Sequence, residues 1–221
     1  MIKIFIATEA GHEKAEKALE YSILSSAAQP VQIIWMKDEC GEIFSGWNKG
    51  RDHKLINSGD GWKTNFSCYR WAIPELCRFE GKAIYLDVDQ IVLKDISQMW
   101  NLDMQDKGVL SISPERTDVM LMDCSKFKDS WWPRLSQMKA SGKHQKYYRC
   151  LVQNKNLIGP LDPIYNCLDG VGFSDETRLV HYTKMNTQPW HPSPESMEYK
   201  PHKIPAMEKL WWDYYLAAIN D

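Results

Sequence analysis

Lys82-Ala-Ile-Tyr-Leu-Asp87-Val-Asp89-Gln-Ile-Val-Leu93 is an apolar run that carries two carboxylates separated by one residue. Ile84 to Leu86 reads as a buried central strand. Side chains along an extended chain alternate faces, so Asp87 and Asp89 are expected to point at one spot. An open α/β sheet takes its ligands beyond the carboxyl ends of its strands, which is where this pair falls. Two hard oxygen anions fixed there suit a divalent cation such as Mg²⁺ or Mn²⁺, especially one that also carries a phosphate-bearing substrate. The competing reading is a chance Asp-x-Asp in a solvated loop, since short motifs have false positives. The strand in front of the pair favours a site.

Upstream, Ile2 to Ala7 reads as a first strand, followed by an alanine- and glutamate-rich stretch to about Ser25 in which Ala15, Ala18, Leu19 and Ile23 keep helical spacing. Val31 to Trp35 is a second strand after Pro30, so the chain opens as βαβ and predicts a parallel sheet. Residues Glu39 to Gly61 read as a long irregular connection, a common place for function. From Thr64 a helical stripe of Phe66, Tyr69, Ile73 and Leu76 is broken near Pro74, with Thr64 or Asn65 as N-cap.

Downstream, Asp95 to Trp100 reads as a short helix, Gly108 to Ile112 and Val119 to Met122 as strands, and Lys126 to Met138 as a helix, which makes the sheet mixed. Pro189, Pro192, Pro194, Pro201 and Pro205 forbid regular structure between Thr187 and Pro205. A last helix runs from Ala206 to Ile219. Its aromatic face (Leu210, Trp211, Tyr214, Tyr215, Leu216) is expected to pack on the core rather than on a membrane, because Lys203, Glu208, Lys209 and Asp213 mix signs instead of forming a basic face.

With 221 residues, 43% of them hydrophobic, the chain can fill one core but not comfortably two, so a single α/β domain over 1–221 is expected. The net charge of −2 comes without a basic stripe, which argues against nucleic acid as a partner. An anionic substrate would then need local positive charge or a metal. Six scattered cysteines with no C-x-x-C pair argue for reduced thiols and against a zinc site. The apolar start is too short for a signal sequence or a membrane span, and a cytoplasmic protein without a transmembrane segment is expected. Ten tryptophans and ten tyrosines allow sugar stacking but equally fill ordinary cores.

Thr64-Asn-Phe-Ser-Cys-Tyr-Arg70-Trp-Ala-Ile-Pro-Glu-Leu76, then Gly81-Lys-Ala-Ile-Tyr-Leu-Asp-Val-Asp89, then Asp95-Ile-Ser-Gln-Met-Trp100 closely resemble the central region of family 8 glycosyltransferases. Those enzymes carry a Tyr-x-Arg-like helix, an Ile-Pro-Glu-Leu turn and a Tyr-Leu-Asp-x-Asp metal motif. The resemblance is strongest over residues 62 to 100 and weaker after 105. It implies the GT-A fold: a single Rossmann-like domain with a mixed, mainly parallel sheet flanked by helices. Residues 1–100 would be the nucleotide-sugar-binding half, and 101–221 the acceptor-side half with the C-terminal helix.

A second point of resemblance is Val180-His181-Tyr-Thr-Lys184-Met-Asn-Thr-Gln188-Pro-Trp190, set against a family segment His-x-x-Gly-x-x-Lys-Pro-Trp. Here the spacing is one residue longer, the glycine is missing, and Gln188 stands where the lysine is expected. The family implies His181 as third metal ligand beside Asp87 and Asp89, and Lys184 as the replacement cation on the donor diphosphate. It places Ala7, Thr8 and Glu9 at the uracil and ribose, Arg70 near the donor sugar, and Val88 with Asp87 in the donor-binding set. Gly159-Pro-Leu-Asp162-Pro-Ile-Tyr-Asn166 loosely matches a segment lining the sugar face, which makes Asp162 a catalytic candidate beside Arg70, with Asp169 as rival and turn capping as the plain alternative.

The activity so implied is transfer of a hexose from a nucleotide sugar, a UDP-sugar by resemblance, to a glycan, lipid or protein acceptor, with retention and with Mn²⁺ or Mg²⁺. Two other classes compete. Asp87-Val-Asp89 also resembles the nucleophile motif of haloacid-dehalogenase-like phosphatases, although a full βαβ unit precedes it here. A non-catalytic nucleotide- or sugar-binding domain is the third.

Overall fold

The computed structural model describes residues 1–37, 66, 69–128, 132, 134–137, 154, 156–191 and 198–221. Strands β1 (Ile2–Ala7), β2 (Val31–Met36), β3 (Lys82–Asp87), β5 (Val109–Ser111), β6 (Val119–Asp123) and β7 (Ile158–Pro160) form one sheet in the order β2-β1-β3-β6-β5-β7. β1 runs parallel to β2 and β3, β6 is antiparallel to β3 and β5, and β7 is parallel to β5. The expected mixed, mainly parallel α/β sheet is therefore present. A small second sheet, β4 (Gln90–Val92), β9 (Leu179–His181) and β8 (Cys167–Leu168), stands beside it in the order β4-β9-β8. The sequence reading did not foresee it, because strands of two or three residues carry too little periodicity to detect.

Residue alternation divides the core between the two faces of the large sheet. Ile2, Ile4 and Ile6 of β1, Ile84 and Leu86 of β3, and Val119 and Leu121 of β6 pack on helix α1 (Glu13–Ser26) and the last helix. Phe5 and Ala7, Ala83 and Tyr85, and Met120 and Met122 face the opposite way, toward Tyr69, Trp71 and Ile73. Asp87 continues the parity of Ala83 and Tyr85. It therefore leaves the sheet on the side of Arg70.

Helix α1 has no side-chain N-cap, but Glu13 and Glu16 in its first turn complement the positive helix end. The expected helix from Thr64 is, where described, a 3₁₀ turn at Tyr69–Ala72 followed by the short helix α2 (Ile73–Leu76). Pro74 explains the break, because its ring and missing N–H bar a continuous α-helix through the preceding turn. Residues 39 to 61, and the N-cap candidates Thr64 and Asn65, lie outside the described residues. Asp95 to Trp100 holds the short helix α3 (Ser97–Trp100).

The expected helix from Lys126 does not begin there. Cys124–Phe127 is a 3₁₀ turn, because the Asp123 carboxylate accepts from the Ser125 N–H and fixes a local turn. Helical backbone reappears at residues 135–137. The last helix, α4 (Pro205–Asn220), starts on a proline at its first turn and packs on α1. Met207 and Trp211 are its buried residues, and Leu210, Tyr214 and Tyr215 pack half-buried on the core as expected, but Leu216 of the expected face is exposed to solvent. No helix among the described residues is long and apolar enough to cross a membrane.

Candidate active site

β1 and β3 end side by side, Ala7 opposite Asp87 in parallel register. The chain then bends at Val88 and Asp89 and leaves the large sheet as β4, which pairs antiparallel with β9 so that Gln90 lies opposite His181. The Tyr182 N–H donates to the Asp89 carbonyl at 2.8 Å and locks that register. Two sheets thus meet at the Asp-x-Asp bend. Asp87, Asp89 and His181 each offer one ligand atom, and these atoms lie within 4.8 Å of one another.

The convergence of the two aspartates agrees with the sequence reading, but its cause differs. Strand alternation ends at Asp87, and what it brings together is Tyr85 and Asp87, the Tyr85 hydroxyl donating to Asp87 Oδ1. Asp89 is turned in by the bend and by β4–β9 pairing. Val88, between them, is buried in the core on the α1 side, so only its backbone is left to face the site.

Arg70 reaches Asp87 from the 3₁₀ turn, with Nη2 at 3.0 and 3.3 Å from the two carboxylate oxygens and Nη1 donating to Thr117 Oγ1 at 3.0 Å. Its guanidinium lies 4.7 Å from the centre of the Tyr85 ring, a cation–π arrangement. Burial pushes the Asp87 carboxyl up to about 6; Arg70 opposes this, while Asp89 and Asp118 add to it. Burial alone would lower the His181 pKa, yet Asp89 and Asp118 together raise it to about 10. His181 Nε2 lies 3.0 Å from Asp89 Oδ1, and its Nδ1 lies 2.8 Å from Asp118 Oδ2.

Asp118 was missed in the sequence. It precedes β6, whose first residue Val119 pairs with Leu86, and its carbonyl accepts from the Asp87 N–H at 3.2 Å and from Gln90 Nε2 at 3.0 Å. Arg116 clamps its carboxylate through Nε at 3.1 Å and Nη2 at 2.6 Å, and Asn166 Nδ2 donates to it at 3.0 Å. Burial would raise the Asp118 carboxyl, but His181, Arg116 and Asn166 hold it well below the usual carboxylate range. Asn166 and Gln188 were also not placed at the centre. Gln188 Nε2 donates to Asp89 Oδ2 at 3.2 Å and to the Tyr182 carbonyl at 2.6 Å.

The other candidates sit around this group. Ala7 and Thr8 are buried at the end of β1, where the Thr8 hydroxyl donates to Glu16 at 2.8 Å; Glu9 is half-buried just beyond. Next to them His12 is held below its ordinary pKa by burial, against the pull of Asp89 and Glu9. Lys184 is exposed and shares a small cavity with Asp169, Gly170, Thr187 and His202. Asp162 is exposed at the exit of β7, and its Oδ1 accepts from the Ile164 N–H at 3.0 Å. It caps that turn, and the residue of the segment that reaches the metal-ligand group is Asn166. Asp169 is buried elsewhere, between Thr183 and His202.

The model of the family described as Glycosyl transferase family 8 matches residues 62–149. No curated protein matches the chain by sequence. Among solved structures, the glycosyltransferase GlyE of Streptococcus pneumoniae TIGR4 superimposes with a TM-score of 0.67 at 15% identity, over 99% of this chain and 62% of its own. The galactosyltransferase LgtC, solved with donor and acceptor sugar analogs, gives 0.64 at 13% identity over 98% of this chain and 96% of its own. The bifunctional glycosyltransferase WbbM gives 0.66 at 12% identity, over all of this chain and 50% of its own. The chain thus spans under two thirds of GlyE and half of WbbM. At such identities the superpositions establish the fold. The matched segment, less than half of the chain, holds Arg70, Asp87, Asp89 and Asp118; over that segment the chain is similar to glycosyltransferase family 8, and as a whole it has the GT-A fold of the glycosyltransferases it superimposes on.

Proposed function

We propose that this chain is a metal-dependent glycosyltransferase that moves a hexose from a nucleotide sugar, a UDP-sugar, to an acceptor with retention. The observation that carries the reading is the meeting of Asp87, Asp89 and His181 at the exit of β3, with ligand atoms within 4.8 Å of one another. The donor set fits the ion. Two carboxylates and one imidazole suit Mn²⁺ or Mg²⁺, and Gln188 Oε1, next to Asp89, is buried without a hydrogen-bond partner among the described residues. When bound, the cation supplies charge stabilisation for the leaving diphosphate.

The protein's own groups have separate tasks in this proposal. Ala7, Thr8 and Glu9 end the strand beside Asp87 and take the nucleoside. Asp87 and Asp89 orient the cation, with Arg70 keeping Asp87 in place from behind. Arg70 also brings positive charge to the donor side. Lys184 has no carboxylate partner among the described residues and offers a point charge for the diphosphate. Asp162, whose second oxygen takes no hydrogen bond among the described residues, is the carboxylate for the sugar face, where it steadies positive charge at the anomeric carbon.

A panel of nucleotide sugars with Mn²⁺, repeated after chelation, tests the reading through released nucleotide. Release from one donor that stops with chelator is expected. Release from none, or release indifferent to chelator, overturns it and leaves a non-catalytic binding domain.

A further inference from the structure

We infer that Asp118 is a positioning residue that fixes the tautomer of His181 and so aims Nε2 at the cation; this rests on the metal reading above. The argument is a count of donors and acceptors. Asp118 Oδ2 lies 2.8 Å from His181 Nδ1, and Asn166 Oδ1 lies 3.0 Å from the same nitrogen. Asn166 spends its Nδ2 on Asp118 at 3.0 Å, so the atom it turns to the imidazole is its oxygen. Both neighbours of Nδ1 are acceptors, and Nδ1 must carry the hydrogen. Nε2 faces a single acceptor, Asp89 Oδ1 at 3.0 Å, and a cation held by Asp89 would take the place of the hydrogen there, using the Nε2 lone pair while Nδ1 keeps its own hydrogen.

Asp118 itself is engaged through both oxygens. Arg116 donates twice, at 3.1 and 2.6 Å, Asn166 once, and His181 once. With Oδ2 taken by three donors and Oδ1 held by Arg116, Asp118 is placed to support the ligand set rather than to join it. Arg116 also cancels its charge, so the acidity next to the cation stays with Asp87 and Asp89. A carboxylate behind a ligating histidine is a recurrent arrangement, and loss of such a partner commonly costs 10- to 100-fold in metal affinity.

The test compares the whole chain with Asp118→Asn and Arg116→Gln by calorimetric Mn²⁺ titration, with thermal unfolding in chelator as the check on folding. Asp118→Asn is expected to weaken Mn²⁺ by about 10- to 100-fold at a melting temperature close to the parent's, and Arg116→Gln by less. Unchanged Mn²⁺ affinity in a folded Asp118→Asn overturns the inference. If the parent itself takes no Mn²⁺, the metal reading fails instead. Nitrogen NMR of ¹⁵N-histidine-labelled parent with Mg²⁺ is independent of the variant's folding: hydrogen on Nδ1 of His181 supports the assignment, and hydrogen on Nε2 overturns it.

Discussion

Gln188 donates its side-chain amide to Asp89 Oδ2 at 3.2 Å, although 99 positions of sequence separate the two. The same amide holds the Tyr182 carbonyl, one residue after His181. A neutral side chain therefore ties Asp89 to the residue that follows His181, at the position where the family resemblance leads one to expect a lysine.

Gln188→Glu puts a third carboxylate beside Asp89 in a buried place. Without divalent cation it should lower stability by roughly 1–3 kcal/mol, since the amide's hydrogen bonds are lost and like charges are confined together. Mn²⁺ should then raise the melting temperature more than it does in the parent. Thermal melts in chelator and in Mn²⁺ check both halves, and an equal shift in the two proteins would refute the placement.

Asp89→Asn keeps the side-chain shape and removes one anionic ligand. Metal-dependent nucleotide release should fall by at least about 100-fold, in line with the loss of a key electrostatic contact, with the fold largely kept. Turnover comparable to the parent would take Asp89 out of the ligand set.

Arg70→Ala leaves Asp87 buried without its guanidinium. Removing one partner of a buried pair costs about 3–5 kcal/mol. Arg70→Lys should recover only part of this, because an ammonium cannot contact Asp87 and Thr117 with one planar group while lying over Tyr85. Urea unfolding of both variants measures the difference.

His181 gives the metal-free protein a pH signature. Its folded pKa is raised from 6.5 to about 10, so the stability it adds is full below about pH 6.5 and drains away as pH climbs through 10. Asp87, also raised, to about 6, loses its contribution in the same direction but earlier, from about pH 4 to 6. Unfolding in chelator from pH 6 to 10 should show declining stability in the parent and a flatter profile in His181→Gln. Parallel profiles would refute the ion pairs around this imidazole.

Much of the fold was legible because β1, α1, β2 and β3 are long and strongly patterned: Ile2, Ile4 and Ile6 against Phe5 and Ala7 show the two-faced burial directly. Asp87, Asp89 and His181 were legible through a motif and a resemblance. Asp118 was not, because its place depends on the antiparallel register of Leu86 with Val119, and register between distant strands leaves no mark in either segment. Asn166 and Gln188 stayed hidden for the same reason, each brought in by a short turn or by β8 and β9. Asp162 shows the opposite case, a polar residue in a suggestive segment whose observed contact is the turn it caps.

Trp190 lies two residues beyond Gln188, stacked on Trp211 of α4 with ring centres 5.3 Å apart, while its indole nitrogen donates to His12 Nδ1 at 3.3 Å. Tyr182 reaches the same helix through its hydroxyl, which donates to the Met207 carbonyl at 2.8 Å. The C-terminal helix is thus a clasp on the segment that carries His181 and Gln188. Loosening it, by truncation or by a bulky partner wedged beneath it, would unseat His181 and Gln188 while the six-stranded sheet still stood.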